Sequence, residues 1–269
     1  ITPSGIAHDR RRCHMSADLL HAGLGWPIAL TLFAVSFIGS LITAGFGIGG
    51  GAVMLAVLAT LLPGAAIIPV HGLVQLGSNA GRSALFLKHT HWPSILPFLI
   101  GSVIGVGLGG AFVVQLDVGI LQVSLGLFIL WTILFRPPVL MRRSSAFTGV
   151  FSSFLTMFFG GTGPFVATYI KTLKLGRVAH VATHASLMTI QHLLKTIVFG
   201  VLGFAFSQWA GLIVLLIAFG FLGTIAGKSV LFRIDEMLFK RVLNAILTVL
   251  ALRLVYAGGM DLWASYIKW

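Results

Sequence analysis

Five long apolar stretches, residues 26–44, 93–115, 118–135, 206–225 and 242–258, leave this chain little choice of solvent. Each is close to the length that crosses roughly 30 Å of hydrocarbon. Hydrophobic residues make up 57% of the chain and charged residues 9%, whereas soluble domains run at about 45–50% and about 25%. An all-α polytopic membrane protein, with the lipid bilayer as its surroundings and no soluble domain, is expected.

The net charge of +12 does not point to nucleic acid, because the cations lie in short loops between apolar segments rather than in one basic patch. Acidic residues are few: Asp9, Asp18, Asp117, Asp235, Glu236 and Asp261 are all of them, and none falls within an apolar span. A cation pump or proton carrier commonly needs an intramembrane carboxylate. Anions are therefore the favoured cargo. The single cysteine, Cys13, excludes an internal disulfide framework and leaves the compartment open. The first 25 residues lack the order of a secretory signal. Residues 1–14, which precede the first methionine, Met15, are read as a vector remnant or a misplaced start.

Two cations interrupt the apolar helices. Arg82 and Lys195 lie 113 residues apart, and the same shift lays His71 on His184, Asn79 on His192, and the glycines from Gly47 to Gly51 on Gly160-Gly161-Thr162-Gly163-Pro164. Later helices match at a shift of 118, which pairs Gly105 with Gly223, Gly109 with Gly227 and Asp117 with Asp235; a five-residue insertion near Phe204 to Gln208 reconciles the two shifts. Two internal repeats are expected, residues 26–138 and 139–258, flanked by a tail over 1–25 and another over 259–269. Each has a glycine-broken hairpin or helix followed by three transmembrane helices. A duplicated intramembrane charge points to a site built between repeats.

Orientation follows from where Lys and Arg fall. If all eight segments crossed from an inside N-terminus, Lys88, Arg136, Arg142, Arg143 and Lys268 would lie inside against six cations outside, Lys171, Lys174, Arg177, Arg233, Lys240 and Arg241. That breaks the positive-inside rule. If both glycine-broken segments instead enter and leave on one side as re-entrant hairpins, with the chain from Met15 starting outside, every one of these cations except Lys268 lies inside. Each half then crosses an odd number of times, which makes the repeats inverted. A variant in which 26–44 cross outright and only the second hairpin re-enters satisfies the charges too, and places Arg10 to Arg12 inside.

His71, Gln75, Ser78, Asn79 and Arg82 fall within an arc of about 100° on one helix face. The second half offers His184, Gln191, His192 and Lys195 on the matching face, with His180 one turn earlier. Two facing stripes would line a cavity. Taken singly, Ser78 or Gln75 serves equally well as hydrogen-bonding glue between membrane helices, and Lys195 could snorkel to the surface. Repetition of the charged pair argues against that. The glycine runs admit packing as well, yet four glycines in five residues exceed what packing needs and should interrupt a helix. The half-helix that follows each break would point its free N–H groups and positive dipole end at an anion, and Pro164 suits such a first turn. The substrate-binding set is therefore Arg82, Lys195, His71, His184, His192, Asn79, Gln75, Ser78, Gln191, Gly49, Gly50, Gly51, Thr162 and Gly163.

The run Gly45-Phe46-Gly47-Ile48-Gly49-Gly50-Gly51 after an apolar segment, the Pro63 to Pro69 stretch, the Lys88 to Trp92 loop leading into Pro93, and the glycine-spaced helix Gly101 to Gly110 together resemble the sulfite exporter TauE/SafE family of bacterial membrane proteins. The likeness runs from about 28 to 258; the second glycine motif departs from the pattern, and Lys171 follows it where the family is typically apolar. The resemblance implies movement of small sulfur-containing or carboxylated organic anions across the bacterial inner membrane. The expected function is secondary transport of a small anion with no cofactor and no enzymatic step; a homodimer is left open. The alternative is a membrane redox enzyme whose histidines hold haem or a metal, for which His180 and His184 have workable spacing.

Overall fold

A computed structural model describes residues 19–46, 49–112, 117–135, 144–230 and 236–267. The expectations that rest on Arg10 to Arg12, Cys13, Gly47, Ile48, Arg136, Arg142, Arg143, Arg233, Asp235 and Lys268 lie outside the described residues. The chain is all-helical there: α1 (Trp26–Phe46), α2 (Gly50–Leu61), α3 (Gly64–Phe86), α4 (Ile95–Phe112), α5 (Val118–Leu134), α6 (Ser145–Phe159), α7 (Gly163–Thr172), α8 (Arg177–Val201), α9 (Ala210–Val230) and α10 (Glu236–Ile267). Helices satisfy their own backbone groups, which is what lets segments this apolar sit in hydrocarbon. Among the described residues four stretches are long and apolar enough to cross, Trp26–Gly45, Trp92–Phe112, Phe206–Gly227 and Arg241–Tyr266. A difference from expectation comes at the C-terminus, where α10 runs through 267 instead of giving way to a tail at 259. Gly258 does not stop the helix because it is a contact point: a Cβ there would press on the Gly119 carbonyl of α5.

The two glycine breaks make hairpins. Gly50 abuts Gly39, and its N–H donates to Thr43 Oγ1 at 3.1 Å. From there α2 turns back along α1. Its partner hairpin returns likewise, since the far end of α7 reaches Ser94, which Tyr169 bonds at 2.9 Å and Ser145, at the start of α6, bonds through the Ser94 carbonyl at 2.8 Å. Each short helix thus ends near the side from which its hairpin came.

Small residues set the long contacts, as expected where lipid removes any hydrophobic drive between helices. On α4, Gly101 and Gly105 lie against the backbone of Ala146 and Val150 of α6, while on α9, Gly223 and Gly227 lie against Phe37 and Leu41 of α1. Both pairs run parallel. In contrast α3 crosses α8 antiparallel, with Gly72 beside Lys195 and Ser83 bonded to Ser186 at 2.8 Å. The α5–α10 pair is antiparallel too, with Gly119 on Gly258 and Gly126 on Ala251. The α3–α8 crossing, flanked by both hairpin tips, frames the centre of the molecule.

Candidate functional site

A cavity of about 150 Å³ sits where the two breaks meet α3 and α8. Gly49 and Gly51 reach it from the first break, Gly160, Gly161 and Gly163 from the second, and His71, Gln75, Asn79, His184 and His192 from the crossing helices. The breaks reach it because their glycines take backbone angles that side chains resist: φ is +110° at Gly49 and +69° at Gly160. Neither Gly49 nor Thr162 caps its helix with a side-chain bond, and at the start of α2 the Gly50 N–H is met by Thr43 Oγ1; the positive ends of α2 and α7 face the cavity.

The histidines brace these tips in matching fashion. His71 Nε2 lies 3.0 Å from the Gly51 carbonyl, and His184 Nε2 lies 3.2 Å from the Gly163 carbonyl. A carbonyl only accepts, so each Nε2 carries the hydrogen and donates it. Each Nδ1 is left without a protein partner, as is Nδ1 of His192, whose ring meets that of His71 edge-on at 5.9 Å. A methyl group built on Gly160 would sit 3.0 Å from His71 Nδ1, which places that nitrogen against the second break.

The remaining expected residues stand behind this lining. Gln191 accepts from Ser152 at 2.9 Å and donates to Thr162 Oγ1 at 2.6 Å, so this pair fixes the start of α7 and does not face the cavity. Gly50 is spent on the hairpin contact with Gly39, and Ser78 bonds Ser40 at 2.9 Å. The two cations do not meet. Lys195 lies beside Gly72, ten residues from Arg82 on α3, a rise of about 15 Å. The cause is the antiparallel crossing, which carries equivalent positions to opposite ends. Arg82, 1% exposed, donates to Asn79 Oδ1 at 3.0 Å and to Ser78 Oγ at 3.2 Å. Asn79 in turn donates to the Gln75 carbonyl at 2.8 Å. Arg82 therefore orients Asn79 from behind. Lys195 is fully buried, and its Nζ has no hydrogen-bond partner in the protein.

Sequence reasoning overlooked Thr43, Thr132 and Asn244, which complete the lining from α1, α5 and α10. Asn244 was the findable one, a lone amide in an apolar run. It also overlooked Arg253, a cation within the apolar stretch 242–258, exposed on α10 near the Ala251–Gly126 contact and lining neither this cavity nor a larger second one. Among the described residues no three His, Cys, Asp or Glu side chains gather where they could hold a metal ion.

A polytopic helical bundle whose broken helices converge on a small buried polar cavity has the architecture of a membrane transporter. The chain belongs to the sulfite exporter TauE/SafE family, whose model matches residues 32–254. No curated protein and no solved structure matches it significantly.

Proposed function

We propose that the chain is a secondary transporter that carries a small organic or sulfur-containing anion (a sulfite, sulfonate or short carboxylate) across the bacterial plasma membrane through the cavity between its two halves. The observation that carries this is the convergence of two helix N-termini on a cavity lined by histidine and amide side chains and by no carboxylate. Such termini favour negative charge. The volume of about 150 Å³ suits an anion of a few heavy atoms.

The halves fit an inverted duplication. The α4–α6 and α9–α1 contacts match each other, and the α3–α8 and α5–α10 pairs are both antiparallel. A twofold axis relating antiparallel helices must lie perpendicular to them. With those helices spanning the bilayer, the axis lies in its plane, the arrangement common in secondary transporters. An inside-negative potential contributes about 2.3 kcal/mol per 100 mV to each negative charge that leaves, so export could run without a coupling ion.

The test is a thermal-shift screen of purified protein against sulfite, sulfonates, thiosulfate and small carboxylates, followed by flux of the best anion in proteoliposomes. Stabilisation grows with ligand occupancy, by about 2.7 kcal/mol at a hundred times Kd, and a stabilising anion is expected to be carried. Absence of both stabilisation and flux across the panel rejects the proposal.

A further inference from the structure

A second cavity, larger at about 630 Å³, opens at the end of the crossing where α3 begins and α8 finishes, with Pro69 and Phe199 among its lining residues on those helices. Ala65, Ala205, Trp209 and Asp117 surround its mouth. Lys195 separates the two cavities: Phe199 of the outer one lies four residues after it, and His192 of the central one lies three residues before it. Along α8 the Lys195 backbone thus lies about one helical turn from a lining residue of each cavity, and the end of its side chain lies beside Gly72 of α3.

The opposite end of the same crossing is filled. Ser186 bonds both Ser83, at 2.8 Å, and Thr90, at 3.1 Å; Thr183 accepts from the His91 N–H at 2.9 Å; and Ser94 bonds His91 and Tyr169. Arg82, the counterpart of Lys195 at that end, is bonded to Asn79 and Ser78. The two ends therefore differ in kind. One is closed, and both terminal nitrogens of its cation are bonded, with only the Arg82 Nε lacking a partner; the other is open above a buried cation whose single nitrogen has no hydrogen-bond partner in the protein. A buried ammonium left in this way is costly, and its long flexible stem lets it turn to either side. Asp117 is not its hydrogen-bond partner, since Lys195 Nζ bonds no protein group; the Asp117 carboxylate accepts from the Gly119 N–H at 2.8 Å at the start of α5.

We propose that the larger cavity is a second station for the transported anion, outside the central one, and that Lys195 is the cation that holds the anion there and passes it inward. The proposal rests on the anion-transport reading above and adds to it a site, a residue and an order of events. The central volume bounds the cargo: an anion that waits in the outer cavity and proceeds must also fit about 150 Å³, which selects single sulfonates and short carboxylates over larger amphiphiles.

The two stations can be read separately by thiol protection in the purified full chain carrying Cys13→Ser. Ala65→Cys reports on the outer cavity and Ala52→Cys on the central one. The probes are methanesulfonate and acetate, neither of which consumes a maleimide. With Lys195 present, anion should slow modification at both cysteines. In Lys195→Gln the concentration that protects Ala65→Cys should rise by about tenfold or more, and Lys195→Arg should restore most of it, because a tenfold change reflects a charge-assisted contact. Ala205→Trp, a change at the exposed rim that fills the outer cavity, should weaken the same protection and serves if the Lys195 variant does not fold. Protection at Ala65→Cys that is absent with Lys195 in place, or unchanged in Lys195→Gln, overturns the outer station. Protection at Ala52→Cys alone leaves the transport reading standing without it. Protection at Ala65→Cys alone removes the central site and overturns both the inward transfer and the transport reading on which it rests.

Discussion

At the scale of single residues, the glycines divide by what a methyl group would strike. At Gly50 a Cβ would overlap the Gly39 carbonyl and crowd Thr43, so this glycine is required by the hairpin. At Gly163 the same methyl would rest 3.5 Å from His184 Nε2, an ordinary contact. Gly50→Ala should therefore destabilise by about 1–3 kcal/mol through overpacking, lowering Tm by several degrees at about 2–4 °C per kcal/mol. Gly163→Ala should leave Tm nearly unchanged and weaken methanesulfonate binding roughly threefold to tenfold, about 0.7–1.4 kcal/mol, because it narrows the small cavity at a helix tip. Tm and affinity measured on both variants decide the matter; a Tm loss without an affinity loss at Gly163 would remove the second break from the site. These assignments were not legible in the sequence, where Gly50 and Gly163 look alike. What separates them is the distance to a carbonyl on another helix.

At the scale of elements, α4 and α9 do the same work on opposite partners, each pressing a row of glycines into the backbone of a parallel neighbour. Close backbone approach is the main source of helix association in lipid. Gly105→Leu and Gly223→Leu should each force their pair apart and abolish monodisperse protein in detergent chromatography. Gly107→Leu is the control, since Gly107 is exposed on α4 with nothing within 4 Å of an added Cβ, and it should behave as the parent. Equal loss in all three variants would mean that bulk on α4 or α9, rather than these contacts, disturbs the fold. The pairing of Gly105 with Gly223 at a shift of 118 was visible in the sequence as a pattern. That each faces a helix of the other half was not.

At the scale of the whole molecule, the cations of the described loops fall at one end. Lys88, Lys171, Lys174 and Arg177 are exposed where α3 and α7 finish and α8 begins. The other end, with the turn at 202–209, the start of α3 and the start of α5, carries no lysine or arginine among its described residues. By the positive-inside rule the first end is expected to face the cytoplasm, which would turn the larger cavity outward. In oriented vesicles from a Cys13→Ser background, Ser207→Cys should react with an impermeant maleimide from the outside only, and Lys174→Cys from the inside only. The reverse pattern would invert the assigned orientation while leaving the architecture untouched.

The sequence by itself determined the solvent, the helical class, the family and the positions of both breaks. These follow from local rules, because hydropathy, glycine content and helical period are properties of neighbouring residues along one chain. Tertiary structure decided which polar residues face the cavity. Arg82 and Lys195 occupy equivalent places on their own helices and point to one site in the sequence, yet α3 and α8 cross antiparallel, so equivalence sends them to opposite ends. One is tied to Asn79 and Ser78, and the other lies buried beneath an open cavity. The direction in which two helices cross is set by the packing of the entire bundle, and no spacing along the chain encodes it.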